Sequence, residues 1–424
     1  MWYRVTTVKG AVLRLSNNGY RALLRQRNYM ISLVAGTVSR FGDSLDAIAF
    51  SWLVYQITGD AALIALVFSV NFLPTVLLQP LVAPVCERLR KTRVIALCNA
   101  ARGLCVCAGA LLFLSDALSV GLLIGMVLFN STVEAIESPA GNALSQFLLP
   151  PELYTAGAAL RGGISRAAEL VGLACAGGLI ALIGSPAALL IDAGTFLFYA
   201  ACMPFIRYEE KLPEARATVQ GYLSDLQAGA RYALGHPVVR ALMLVGAFLN
   251  FAATPFSTFQ TVYVADALGM GPEMLSACGI ALTAAMGLGS LLLPRLQARF
   301  SRSKLIAAAG LLSATVYCAL GLLPHLGTAG RIAGLLCGML VMGVDGGVLN
   351  AAFSASFLEH VDSGYMARTA GLTNAVLNST MPLCSLLCAA LATAMPVPAI
   401  FLSLSGVSVA LLLLVTRCRG FREV

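Results

Sequence analysis

The amino-acid sequence predicts an all-α polytopic membrane protein of twelve transmembrane helices in two six-helix bundles. Three observations carry that expectation: the composition, the lengths of the apolar runs, and the charge of the segments between them. Of 424 residues, 58% are hydrophobic and 11% charged, with a mean hydropathy of +0.84. Soluble domains carry about a quarter charged residues, so an ordinary cytosolic enzyme is excluded. A helix needs about 20 apolar residues to cross a hydrocarbon core of ~30 Å, so the chain holds about a dozen crossings and little else.

Residues 1–28 form a basic tail with Arg4, Lys9, Arg14, Arg21, Arg25 and Arg27 and no acid. The tail lacks the apolar core and cleavage site of a secretory signal, and it favours a cytoplasmic N-terminus. The first bundle, 29–206, divides at glycine, proline and charge into spans near 29–57, 62–84, 94–115, 118–145, 155–184 and 186–206. A polar segment, 207–238, follows, and its Gln220–Leu234 portion is amphipathic, as expected of a helix lying along the membrane interface. The second bundle, 239–416, has spans near 239–267, 273–294, 305–324, 328–358, 364–392 and 396–416, and 417–424 form a short tail.

The segments between spans alternate in charge. One set holds Arg88, Arg90, Lys91 and Arg93, then Arg207, Lys211, Arg216 and Arg231, then Arg295, Arg299, Arg302 and Lys304, with Arg417, Arg419 and Arg422 in the last tail. The other set holds Asp60, Asp116, Asp266 and Glu273, and among basic residues only Arg331. Positive residues concentrate in cytoplasmic loops, so both termini are expected inside an inner or plasma membrane. The same rule accounts for the net charge of +8 without nucleic acid. An internal echo links the halves: Arg93-Val94-Ile95-Ala96 after the second span returns as Lys304-Leu305-Ile306-Ala307 after the eighth, 211 positions later. Six-plus-six repeats of this kind place a substrate site between the halves near the membrane midplane.

Charges inside spans are expensive and need a partner, a wet cavity or a function. The first span holds Arg40, Asp43 and Asp46 at i, i+3 and i+6, a spacing that lets Arg40 pair with Asp43 along one face. Asp43 lies about 21 Å from Tyr29 along the helix, near mid-membrane. Asp43 and Asp46 are therefore the first candidates for proton coupling, since one arginine cannot neutralise both, with Glu134, Glu137 and Glu169 the further candidates. Glu134 and Glu137 share a face of the fourth span, and Arg102 of the third is their expected partner. Arg166 and Glu169 repeat the i, i+3 spacing in the fifth span, and Asp192 begins the sixth. In the second half Asp345 is the clear mid-span carboxylate, and Thr254 stands where the repeat would put the counterpart of Asp43. Phe251, Phe256, Phe259 and Tyr263 of the seventh span, with Asp345, are candidates for lining a substrate pocket.

Particular motifs resemble a known family. Arg40-Phe-Gly-Asp43, Trp52-Leu-Val-Tyr-Gln-Ile-Thr-Gly59 and Asn71-Phe-Leu-Pro74 resemble the major facilitator superfamily, in the branch of bacterial macrolide-efflux pumps and enterobactin exporters. The resemblance makes the segment after the second span a gating loop, with Ala83 at a position usually glycine, Glu87-Arg88 where Asp-Arg is usual, and Lys91 among the following basic residues. Gly172-Leu-Ala-Cys-Ala-Gly177 is similar to the family's antiporter motif, with Leu173 in place of its proline. The fold implied is the major facilitator fold.

The expected function is proton-coupled export of a small amphiphilic organic molecule of drug, macrolide or siderophore type, by alternating access and as a monomer. The alternative is a lysolipid or lipid flippase of the same fold. A non-transporting intramembrane enzyme or sensor is less favoured. There is no GxxxxGK[ST] sequence for ATP hydrolysis, the 12 cysteines include no CxxC pair, and the three histidines are scattered. Neither a cofactor nor a metal site is expected. The partners expected are the substrate, protons and membrane lipid.

Overall fold

The architecture comes from a computed structural model that describes residues 22–86, 89–150, 153–208, 227, 231–361 and 366–417. Among these residues there is no strand, and eleven long helices account for almost all of the chain. They are α1 (Arg27–Thr58), α2 (Ala61–Cys86), α3 (Lys91–Leu114), α4 (Val120–Phe147), α5 (Tyr154–Cys202), α6 (Pro237–Val262), α7 (Pro272–Gln297), α8 (Arg302–Leu322), α9 (Thr328–His360), α10 (Met366–Ala392) and α11 (Val397–Arg417).

Local chemistry ends each helix where the chain must turn. Gly59 closes α1 in the left-handed region at φ 55°, its N–H bonded to the Tyr55 carbonyl at 2.8 Å, a conformation that glycine adopts without steric cost. The Asp60 carboxylate then accepts from Ala62 N at 2.7 Å to start α2, and Ser119 caps α4 through Leu122 N. Pro237 and Pro272 open α6 and α7, where a missing N–H costs no helical bond. Arg331, the exception in the charge alternation, donates to the Leu326, Leu268 and Pro324 carbonyls and so caps the ends of two helical turns with a cationic donor.

Helix α5 contains two crossings. Its 49 residues break at Gly184, φ 80° and ψ 161°, just before Pro186. Gly172 and Thr195 both meet α1 within three residues of Gly42, although a straight helix would separate them by about 35 Å. The arm 185–202 therefore doubles back on the arm 154–183. Nine apolar helical stretches are long enough to cross a membrane among the described residues, one of them running over Ala156–Phe205, through α5 and the turn after it. Counting that one twice, and adding α1 (too charged for a plain hydropathy window) and α11, gives twelve crossings.

The crossings form two bundles, α1–α5 and α6–α11, which meet along two seams, α2 on α10 and α5 on α7, with α1 facing α6. We call the end at which α1 begins and α11 finishes proximal and the opposite end distal. Toward the distal end one hydrophobic core runs across both bundles, from Leu53 and Ile180 to Phe259 and Leu275. Toward the proximal end the clusters stay within one bundle: Tyr29, Ile95 and Leu144 in the first, Val239, Met243 and Phe357 in the second. The molecule is thus joined distally and divided proximally.

Candidate functional site

A cavity of about 400 Å³ lies between the bundles. Helix α1 supplies one wall from a single face, with Arg40, Asp43, Asp46, Phe50 and Val54 at spacings of three and four. Arg102 of α3, Glu134 and Asn130 of α4, and the apolar Ile64, Val67 and Phe68 of α2 continue it. The second bundle contributes Ser257, Thr258 and Gln260 of α6.

The guanidinium of Arg102 is the centre of the charged wall. It stands 3.7 Å from carboxylate oxygens of each of Asp43, Glu134 and Glu137, and 4.2 Å from the centroid of the Phe196 ring. Three equal, loose contacts hold the cation among the acids without committing it to one of them. Its side chain is only 12% exposed, and a buried arginine fits such a position because its planar fork serves several acceptors at once. Asp192 is fully buried beside the cluster and bonds Thr195 Oγ1 at 3.2 Å. Buried side-chain atoms without a hydrogen-bond partner among the described residues gather here: Asp46 Oδ1, Asn99 Oδ1, Arg102 Nε, Asn130 Oδ1 and Asp192 Oδ2. Such orphaned atoms are rare in folded proteins and call for a specific reason where they occur together.

The expected Arg40–Asp43 pair does not form. Arg40 bonds Glu169 of α5 at 2.9 Å, and Arg166 joins the same carboxylate at 3.0 Å. The cause is the packing at Gly172, where a Cβ would lie 2.7 Å from the Phe41 carbonyl oxygen. Backbone contact there brings Glu169, nearly one turn earlier, against Arg40, and leaves Asp43 to face α3. Glu169 therefore belongs to a separate ion-pair group. The expected contact of Arg102 with Glu134 and Glu137 is present with both acids.

The pocket candidates of the second bundle are placed elsewhere. Phe256, Phe259 and Tyr263 are buried in the distal core; the rings of Phe256, Tyr263 and Tyr317 lie tilted or edge-on against Phe401, and the Tyr263 hydroxyl donates to the Leu320 carbonyl. Phe256 and Phe259 occupy the face of α6 turned inward and Tyr263 follows its end, and the polar Ser257, Thr258 and Gln260 take the cavity face. Phe251 packs against the same core and its carbonyl accepts from Cys384 Sγ. Asp345 accepts from Ser313 of α8 at 3.2 Å inside the second bundle, away from the cavity. Thr254 is buried, its hydroxyl bonded to the Asn250 carbonyl.

Of the gating loop, Glu87 and Arg88 lie outside the described residues, as does the side chain of Ala83. Lys91 is buried at the start of α3, 5.8 Å from the Phe147 ring centroid. The two glycines of the antiporter-like motif have different neighbours. Gly172 packs on α1, whereas Gly177 meets the other bundle. A Cβ at Gly177 would lie 2.5 Å from Glu273 Cα and 2.9 Å from the Pro272 carbonyl oxygen, and its N–H points to Ser276 Oγ at 2.6 Å. Gly289 makes a similar close approach to Val344 within the second bundle, while Gly287 has open space beside it.

The hydrogen bonds between bundles among the described residues all lie in the distal half. Ser51 pairs with Thr261 and Tyr55 donates to Asp266. Ser69 donates to the Pro382 carbonyl at 3.1 Å, and Ser385 to the Ala65 carbonyl at 2.5 Å. Tyr55 and Asp266 are 211 positions apart, the offset of the sequence echo, so the bond joins corresponding positions of the two halves of the sequence.

Comparison with known proteins agrees with this fold. The sequence profile of the Major Facilitator Superfamily matches residues 32–385. Over 428 residues, covering 97% of this chain and 96% of the relative, the sequence is 25% identical to the multidrug efflux pump Tap of Mycobacterium tuberculosis. It is 24% identical over 256 residues to the uncharacterized MFS-type transporter YvqJ of Bacillus subtilis, a match spanning 60% of that protein's length. Among solved structures, the nucleoside transporter NupG superposes with a TM-score of 0.72 at 16% identity, over 92% of this chain and 98% of that one. A bacterial homologue of the iron transporter ferroportin in an inward-facing state superposes at 0.70 and 17% identity, over 94% and 98%.

Proposed function

The chain belongs to the Major Facilitator Superfamily, and from that premise we propose that it exports a small amphiphilic organic molecule in exchange for protons. It is a multi-pass membrane transporter; the direction, the coupling ion and the substrate class are the proposal. The observation that carries the proposal is the unequal charge in the first bundle. Asp43, Asp46, Glu134, Glu137 and Asp192 surround a single guanidinium, on or beside the wall of a cavity between the bundles. Buried carboxylates in excess of cations need further positive charge. Protons supply it in one state, and a basic group on the substrate supplies it in the other. Phe50, Phe68 and Val67 beside the acids offer apolar surface to the rest of an amphiphile.

The positive-inside rule puts the proximal end in the cytoplasm, so this conformation is open inward and closed outward. Substrate enters from the cytoplasm, the distal contacts part as the proximal halves close, and protons taken up outside reset the cluster. One chain forms the whole cavity, which fits a monomer. The Tap-like sequence over nearly the full length supports efflux of drug-type molecules.

Everted membrane vesicles with an acid interior test the reading. A panel of cationic dyes and macrolides should include compounds that accumulate inside and leak out when a protonophore is added. Accumulation indifferent to the protonophore would reject proton coupling, and accumulation of none of them would reject the substrate class.

A further inference from the structure

A second cavity, of about 430 Å³, lies far from the transport site, at the proximal end between the start of α3 and the end of α5. Arg90, Arg93 and Arg207 line it with Thr92, Tyr208 and Met203. Its size is within the ~300–1,000 Å³ of small-molecule sites. None of the three arginines has a carboxylate within ion-pair distance among the described residues. The backbone of Arg207 is fixed by Asn28, which accepts from its N–H at 3.3 Å and donates to its carbonyl at 2.5 Å. Arg90 is the N-cap of α3 and makes no side-chain cap bond, so the positive end of that helix dipole adds to the field.

What stands beside the cavity decides the ligand. Leu97, one turn along α3 from Arg93, is 71% exposed, and Phe205, two residues before Arg207, is 64% exposed. Leu104 and Phe198 continue the exposed apolar surface along the same two helices toward mid-membrane. The pocket is thus a cationic cup at interface depth with a hydrocarbon-facing strip leading away from it. Arginine forks match phosphate oxygens in geometry, and basic pockets between helices at this level hold anionic lipid headgroups.

We propose that this cavity binds the phosphodiester headgroup of an anionic phospholipid, whose acyl chains lie along the strip of Leu97, Leu104, Phe198 and Phe205. A soluble phosphate would satisfy the arginines but has no use for the strip. The lipid ties the first turn of α3 to the end of α5, both in the first bundle.

The test uses the full chain purified in neutral detergent, with lipid retention read by native mass spectrometry and thermal unfolding read alongside. The probes are phosphatidylglycerol, phosphatidylcholine and inorganic phosphate. Phosphatidylglycerol should be held in preference to phosphatidylcholine, by roughly fivefold per arginine and about a hundredfold for the three. The variant carrying Arg90→Gln, Arg93→Gln and Arg207→Gln should lose that preference and keep its lipid-free unfolding temperature, because all three side chains are at the surface. The corresponding triple lysine variant should retain part of the preference. A preference that survives the triple glutamine change would overturn the proposal. Displacement of phosphatidylglycerol by inorganic phosphate at equal concentration would overturn it too, leaving a simple anion site.

Discussion

Arg102 is the residue on which the first bundle depends most. It faces three carboxylates and an aromatic ring from a nearly buried position, so its removal leaves like charges together with no cation between them. Breaking a buried ion pair from one side costs about 3–5 kcal/mol; because Glu134 is half-exposed, the lower end applies. Arg102→Ala should therefore unfold in detergent several degrees below the wild type, and adding Glu137→Gln should recover part of the loss. An unchanged unfolding temperature in Arg102→Ala would show that the cluster carries no net repulsion. The sequence showed the acids and the arginine because charge in an apolar run is conspicuous. It did not show the pairing, since pairing is set by which helix passes which. Asp192 was visible but misplaced at the edge of a span. With the turn at Gly184 it sits eight residues into the arm, level with Gly42, and the Asp192 carboxylate would lie 2.4 Å from a Cβ there. Phe196 gave no signal, because one phenylalanine in a membrane helix resembles any other.

At the scale of helices, the two glycines of the α5 motif separate packing from gating. A side chain at Gly172 collides with the α1 backbone inside the first bundle, where the core cannot open to receive it. A side chain at Gly177 collides with the first turn of α7 in the other bundle, across the seam that the proposed transport cycle opens. Gly172→Val should lower the yield and the unfolding temperature, since overpacking costs about 1–3 kcal/mol. Gly177→Val should leave folding intact and shift the molecule toward the distally open state, read as faster labelling of a cysteine placed at Ser276. If both variants only destabilise, the α5–α7 seam is a permanent joint. The helix count was legible because period, glycine, proline and charge all mark ends. The face of α6 was not, since Phe256, Phe259 and Tyr263 suit either a pocket or a core. The structure gives them to the core, because their partners Phe401 and Tyr317 come from helices far away in sequence.

Over the whole molecule, distal closure combines the apolar core shared by the bundles with neutral hydroxyl and backbone contacts and one bond from Tyr55 to the Asp266 carboxylate. Tyr55→Phe removes that bond. At a partly exposed site its worth is about 0.5–1.5 kcal/mol, so the open-to-closed ratio should rise about 2–10-fold in distance measurements between spin labels on the distal turns. No change in that ratio would place closure entirely in the apolar seams. Two-fold architecture was readable from the 211-residue echo, and so was its asymmetry, since Thr254 replaces an acid in the second half. The proximally open state was not, because a sequence encodes both states of a transporter and the structure displays one. The central claim is that substrate and protons compete for the acids around Arg102. Adding a transported cationic dye to the purified protein in weakly buffered detergent, with a pH indicator, tests that most directly. The wild type should release protons as the dye binds, Asp46→Asn should release fewer, and Asp43→Asn should release none. Proton release by Asp43→Asn equal to that of the wild type, or dye binding with no release at all, would contradict the account.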